Sequence, residues 1–523
     1  MLICRREKRC FTWRLSNRIK GKIGYYHQVS RILFQKTVYV ILLRVWLSLW
    51  ILLPLRSNTL VQVIQRTTPR ILLKLLVMGV LDRVRSSRRL ARNARENIVY
   101  IYLSEKLTAD FRTISDFRKN NPTIVKEAFK HTVTLAKQEG LLDLSHLSTD
   151  GSKEKANAAN KRVLTKEELE FLLRFVDEEL EEWAEQDNVE DNAFGELRGN
   201  DQLPDKSKKK IQKIVKHYVK NIKEKGKLFK EETVNKLHRA QQELQEHELD
   251  KVSITDPESR FMKNKKGKIE FSYNVQLSVD KKGFILANDV CQDGNDTEQL
   301  QPQVLQTETN LGALPEGVPW SFDNGYFEGL NLKFLSDKKI NAYIPDNEKK
   351  EDNPYDKTYF QYNPEKDEYT CPENQPLTFL NEQFDKHKNK NIRHYKGQAC
   401  PACPYQSQCT KRKDGIRQIK SYPHETERHA MTTKMETPKA KEIYKIRAQK
   451  VEPVIGDIKE NKGIRTFLTR SLETVKTEFN LVCTANNIKR MWLQLQKNNN
   501  TKHTITRFIQ NLCKNRYLRP YST

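Results

Sequence analysis

Between residues 268 and 290 the chain alternates with a period of two. Phe271, Tyr273, Val275, Leu277 and Val279 take every second place, Lys281-Lys282-Gly283 supplies a turn, and FILANDV returns as a partner strand. A period of two suits a β-strand and conflicts with the 3.6-residue repeat of a helix. A β-hairpin is expected here, and a purely helical fold is excluded. Shorter signals flank it. Leu141–Asp150 reads as a short buried strand ending in a carboxylate, with GSKEKANAAN after it as a polar loop. After the hairpin come a helix over about 296–311 and a strand Trp320–Phe322 ending at Asp323. A helix to about Ser336 and a strand over Ile340–Pro345 follow. The expected class is mixed α/β.

Three further regions read as helical. Residues 67–140 carry a buried face (Ile71, Leu72, Leu75, Leu76), a basic turn SSRRLARNAREN, and a helix start at Thr113 or Ser115. Short helices with exposed Arg and Lys suit a DNA-binding module as well as a plain bundle. Residues 162–250 form a helical insertion. Leu169, Leu172, Leu173, Val176, Leu180 and Trp183 mark one arm, and Ile211, Ile214, Val215, Tyr218, Val219 and Ile222 another, with opposite outer charge. In Tyr444–Gly463, Glu452, Ile455 and Lys459 share a helix face by steps of three, four and seven. Pro453 lacks an N–H, so the helix is expected to start afresh or kink there.

Formal charge is +26, from 93 Lys and Arg against 67 Asp and Glu. Such an excess points to a polyanionic partner, with nucleic acid ahead of an anionic membrane surface. Of nine cysteines, Cys371, Cys400, Cys403 and Cys409 crowd into 39 residues. The scatter of the rest excludes a disulfide scaffold. The spacing C-x28-C-x2-C-x5-C suits a structural Zn²⁺ that staples a loop-rich segment over 346–435. Four reduced thiols, or a ligand set using His387 or His394, are the alternatives.

Two expected strands end in an Asp beside a small-residue turn, Asp150-Gly151 and Asp323-Asn324-Gly325, and Glu452 lies on a later helix. A glycine past a strand end lets the backbone turn and leaves the carboxylate on the sheet rim. Each Asp alone could be a turn residue. Brought together, the three would suit hard divalent cations, which favour oxygen ligands and drive phosphoryl transfer when paired.

In this order the motifs PRILLKLLVMGV, SSRRL, DFRTISDFRKNN, LSTDGSKEKANA, DPESRFM, YNVQLSVD, FDNGYF, AYIP, CPACPYQSQC and VEPVIGDIKENKGIRTFLTRSLETVKTEFNLVCTANNIKRM cover about 67–495. The chain thereby resembles bacterial insertion-sequence transposases of the DDE class, in an IS4/IS5-like branch with a cysteine-rich insertion. The resemblance implies an RNase H-like catalytic core with Asp150, Asp323 and Glu452 as its Mg²⁺ (or Mn²⁺) ligands. Tyr444, Arg447, Glu452 and Lys459 look like the family's Tyr–Arg–Glu–Lys signature, with Arg447 one residue farther from the glutamate than in the most familiar branch. The implied roles of Tyr444, Arg447 and Lys459 are DNA contacts. Asp256 of TDPESRFM is kept as secondary. Asn274 and Gln276 face the site or DNA, or simply the polar side of the hairpin.

The implied activity is strand cleavage and transfer at the ends of an element, by a homo-oligomer on paired ends in the bacterial cytoplasm, associated with the nucleoid. A catalytically dead or truncated remnant that only binds DNA is the alternative, and a plain nuclease a second one. The domains expected are a helical DNA-binding domain (67–140), core segments (141–161, 251–346, 436–497), a helical insertion (162–250), a cysteine-rich insertion (347–435) and a basic tail (498–523). Residues 1–66 depart from the family. They carry thirteen Lys and Arg, one Glu and no Asp, and are expected to be out-of-frame or decayed sequence. Their apolar run Val38–Leu55 could just span a bilayer, but Arg44 in mid-span is costly, and no membrane association is expected.

Overall fold

The computed structural model describes residues 69–159, 162–178, 204–225, 227–265, 267–346, 353–385 and 390–497. The expectations for 1–66, for Trp183 and its following loop, for His387 and for the tail fall outside these residues. None of the described helices is long and apolar enough to cross a membrane.

The described residues form two compact units: 69–75, 91–109 and 495–497 in the smaller, 76–90 and 110–494 in the larger. Helices α1 (Pro69–Leu81) and α2 (Ser87–Glu96) contribute to both. In the smaller unit, Asn97 caps α3 (Ile98–Leu103) by accepting the Val99 N–H at 3.0 Å. There Arg70 and the buried Lys74 both reach Glu105 at 3.0 Å.

The larger unit begins with α4 (Phe111–Asn120) and α5 (Pro122–Gln138). Helix α4 starts earlier than Thr113, because Asp110 accepts the Arg112 N–H at 2.8 Å and caps it. The core sheet holds β1 (Leu147–Lys155), β4 (Arg260–Lys263), β5 (Ile269–Asp280), β6 (Ile285–Cys291), β7 (Trp320–Ser321) and β8 (Ala342–Tyr343). Strand β5 pairs antiparallel with β1 on one edge and with β4 and β6 on the other. Strands β1, β7 and β8 run parallel. The order β6-β5-β1-β7-β8, three antiparallel strands followed by two parallel ones, is an RNase H-like core. The expected hairpin is β5–β6.

Strand β1 does not end at Asp150. It runs through Gly151 to Lys155, with every residue from 147 to 155 registered against β5. The stretch GSKEK reads as a loop because its buried polar groups, Ser152 and Glu154, hide the alternation. Short strands β2 (Val163–Thr165) and β3 (Lys251–Ser253) pair at the base of the helical insertion. Among its described residues the insertion has three helices, α6 (Lys166–Glu178), α7 (Asp205–Lys225) and α8 (Lys227–Glu246). Leu169, Leu172 and Leu173 pack with Ile211, Ile214 and Val215, as their spacing predicts, and α8 adds Leu237, Ala240 and Leu244.

Helix α9 (Leu300–Leu311) packs on β6, and α10 (Gly329–Asp337) precedes β8. The segment after β8 is not merely loop. It holds a five-stranded antiparallel sheet, β9 (Gln361–Asn363), β10 (Glu368–Thr370), β11 (Pro376–Asp385), β12 (Lys390–Gly397) and β13 (Gln418–Ser421). Its core is small: Phe360, Tyr369, Leu377, Tyr395 and Ile419. Helices α11 (Glu425–Glu436), α12 (Pro438–Gly456) and α13 (Leu472–Lys497) return the chain to the core, with α12 lying against β1.

Candidate active site

Asp150 sits in mid-β1 and is 1 % exposed. Asp323 follows β7 and opens a 3₁₀ turn, its carboxylate accepting the Asn324 N–H at 2.9 Å. The parallel pairing of β1 with β7 brings both carboxylates to one place, where they share a cation. One nitrogen of Arg447, Nη2, lies 2.9 Å from Asp150 Oδ1 and 3.3 Å from Asp323 Oδ2. Asp150 Oδ1 also accepts the Gly151 N–H at 2.9 Å. Its Oδ2 is buried with no hydrogen-bond partner, and the exposed Lys265 ammonium stands 3.9 Å away.

Burial raises the Asp150 pKa and the Asp323 charge adds to this, against the pull of Arg447 and Lys265. Burial also works against the Arg447 charge. Asp150 and Asp323, with Tyr444 and Glu452, outweigh it and hold the guanidinium above its ordinary pKa. The guanidinium lies 5.9 Å from the Tyr444 ring centroid.

Helix α12 carries Tyr444, Arg447 and Glu452. Its N-cap is Thr437, which accepts the Ala440 N–H at 3.2 Å, with Pro438 at the first helical position. Thr437→Ala should lower unfolding free energy by about 1 kcal/mol, measured by urea denaturation. The helix neither starts nor stops at Pro453. It continues to Gly456 and widens into a π-helical turn, Asp457–Asn461. Glu452 is exposed, and Lys459 turns to β1, where its ammonium meets Glu154 Oε1 at 2.9 Å.

Thus Asp150, Asp323, Arg447 and Tyr444 gather, and Glu452, exposed on the same helix, lies near enough for its charge to act on Arg447. Among the described residues no three His, Cys, Asp or Glu side chains stand as a ready metal-ligand group. The two aspartates still fit a hard cation: both are oxygen donors, and Asp150 Oδ2 is a buried acceptor lacking a partner.

The other residues singled out have distinct places. Asn274 and Gln276 are buried and face inward, donating to Asp296 at 2.7 and 2.6 Å. Asp256 accepts from the Tyr273 hydroxyl at 2.9 Å and the Ser471 N–H at 3.0 Å, which anchors the start of α13. The basic stretch splits in two. Arg83 and Arg85 bind the backbone at Asn461, Gly463 and Thr466, whereas Arg88, Arg89, Arg92 and Arg95 are exposed on α2. Cys371, Cys400, Cys403 and Cys409 line one cavity of the second sheet. Burial and the other three cysteines raise the Cys409 thiol against the influence of Arg417.

An RNase H-like sheet whose first and fourth core strands bring two aspartates together is the architecture of a nuclease- or transposase-type enzyme. Residues 370–492 match the family model of a transposase DDE domain, and residues 65–120 that of a transposase domain (DUF772). The first match spans both the cysteine cluster and Glu452. These two domains indicate a DDE-type transposase. No curated protein matches the chain.

Proposed function

We propose that the chain is a DNA transposase that performs metal-dependent cleavage and strand transfer at the ends of an insertion sequence. The observation that carries this reading is the convergence of Asp150 and Asp323 on a single Arg447 nitrogen. Two carboxylates so close need a compensating positive charge, and Arg447 supplies it in the free protein. Asp150 and Asp323 would hold Mg²⁺ or Mn²⁺, with Glu452 completing the ligand set from α12. The bound cations supply Lewis-acid activation of the attacking oxygen and stabilise the leaving one. Arg447 and Tyr444 orient the aspartates and, with the quarter-exposed Lys459, contact the DNA backbone. Phosphate contacts position the strand without reading its sequence. The exposed Arg88 and Arg89 at the start of α2 add further phosphate contacts.

A donor plasmid bearing the element's own flanking ends tests this in Mg²⁺. Strand-transfer product is expected. Nicked DNA alone would make the chain a plain nuclease, and end binding without any cut would make it an inert remnant. Element ends paired by two copies should give a complex twice the mass of a single-end one by light scattering. The site of action is the bacterial cytoplasm, at the nucleoid.

We assign the four cysteines to a structural Zn²⁺ in a cysteine-rich branch of the family. Their support is the shared cavity and the small core around it, which leaves the second sheet in need of a staple. One zinc per chain is expected by elemental analysis. Cys403→Ser should release it and expose 353–435 to protease, and zinc-free protein with unchanged protease resistance would reject the assignment.

A further inference from the structure

Asp296 belongs to none of the residue sets above. It follows β6 in the turn Gln292-Asp293-Gly294-Asn295-Asp296, and its carboxylate folds back over the centre of the core sheet. Its Oδ1 accepts from Asn274 Nδ2 and Gln276 Nε2. Both donors stand on β5, and in the β-ladder Gln276 is the partner of Gly151, the residue after Asp150. The Gln276 carbonyl oxygen accepts from the Tyr326 hydroxyl, and Tyr326 ends the turn that Asp323 opens. A chain of hydrogen bonds thus runs from Asp296 through Gln276 to the Asp323 turn.

One glycine makes room for it, and a second lies beside it. A Cβ on Gly151 would lie 2.5 Å from Asp296 Oδ1 and 2.6 Å from Gln276 Nε2, closer than packed atoms allow. A Cβ on Gly325 would stand 3.4 Å from Asp296 Oδ2, in ordinary contact. Asn331 binds the same two turns, donating to Thr297 O at 2.6 Å and Tyr326 O at 3.2 Å. An anionic acceptor fixes which end of the Gln276 amide faces it, leaving the carbonyl free for Tyr326.

We propose that Asp296 is a positioning residue that sets the separation of Asp150 and Asp323 by bracing the Asp323 turn against β1 through Gln276 and Tyr326. The proposal rests on the reading of Asp150 and Asp323 as metal-binding. Groups that orient ligands from behind commonly change metal affinity by about 10- to 100-fold when removed.

The test is Mn²⁺ titration of the full chain without DNA, following the free-ion paramagnetic resonance signal, with a thermal melt of each variant. Asp150→Asn defines the binding that depends on the site. Asp296→Ala should weaken that binding by about 10- to 100-fold, and Gly151→Ala, which pushes the carboxylate aside, should match it. Asp296→Asn keeps one oxygen acceptor for both amides and should stay within about threefold of the parent. Gly325→Ala should behave as the parent. Unchanged Mn²⁺ affinity in Asp296→Ala, with only the melting temperature lowered, would overturn the proposal. So would an Asp296→Asn variant as weak as Asp296→Ala, which would make the charge itself the requirement. A parent with no Asp150-dependent Mn²⁺ binding would remove the metal reading and this inference together.

Discussion

Asp150→Asn should reduce single-turnover strand cleavage by about a thousand-fold or more, while the protein still folds and still binds DNA. Asparagine has nearly the same shape and keeps an oxygen for the Gly151 N–H and for Arg447. What it removes is one negative charge in a buried position. Metal ions contribute several kcal/mol of transition-state stabilisation, and each 1.4 kcal/mol is about a factor of ten in rate. Stability should move the other way or not at all, because Asp150 Oδ2 is buried without a partner and a charge there is costly. Asp323→Asn should show the same loss of rate. Its side chain is 35 % exposed, so its effect on folding should be smaller still. A variant that cuts within tenfold of the parent while melting at a lower temperature would place the aspartates in the framework and remove them from the chemistry.

Glu478→Ala should give the largest loss of stability, about 3–5 kcal/mol by urea denaturation, the cost of leaving a buried partner charge uncompensated. Glu478 is 4 % exposed. It accepts from Arg85 at 2.5 Å, from the Leu468 and Thr469 N–H groups at 3.0 and 2.9 Å, and from the Thr469 hydroxyl at 2.8 Å. One carboxylate therefore ties α13 to the basic turn before α2 and to the loop that follows the π-turn. Burial tends to raise its pKa, but Arg85, Arg118 and the Thr469 N–H reverse this and leave it lowered. A lowered acid binds its proton less readily in the folded state than in the unfolded one. Its stabilisation is therefore complete above the unfolded value near 4.3 and is lost as pH falls through the lower folded value. Arg85→Ala paired with Glu478→Ala in a double-mutant cycle should show coupling of about 1–3 kcal/mol. Additive losses would mean that the two residues act separately.

Legibility in the sequence followed the range of the interactions. The β5–β6 hairpin was readable because its apolar positions alternate and its turn is local. Asp323 was readable because a strand, an Asp and a small-residue turn lie within a few residues. The length of β1 was not, since Glu154 is buried only because Lys459 reaches it from far along the chain. The second sheet escaped for a related reason: most of β11 faces solvent, so its residues carry no apolar period. Asp296 stands at the head of the helix expected over about 296–311, and nothing local reveals its two amide partners on β5. Arg447 was marked for DNA only by the family resemblance, while its pairing with both aspartates depends on how α12 crosses β1. The π-turn at Asp457–Asn461 had no clear signal.

The carboxylates and the cation that joins them lie far apart in the order of synthesis. On the ribosome, Asp150 and Asp323 emerge while helix α12 is still unmade, so the sheet can form before Arg447 joins the two carboxylates. Only more than a hundred residues after Asp323 does Arg447 arrive between them, with Glu452 one turn beyond. A polypeptide released early would carry the helical module and both aspartates yet lack the residue that holds them together. Completion of the site thus waits on the synthesis of α12.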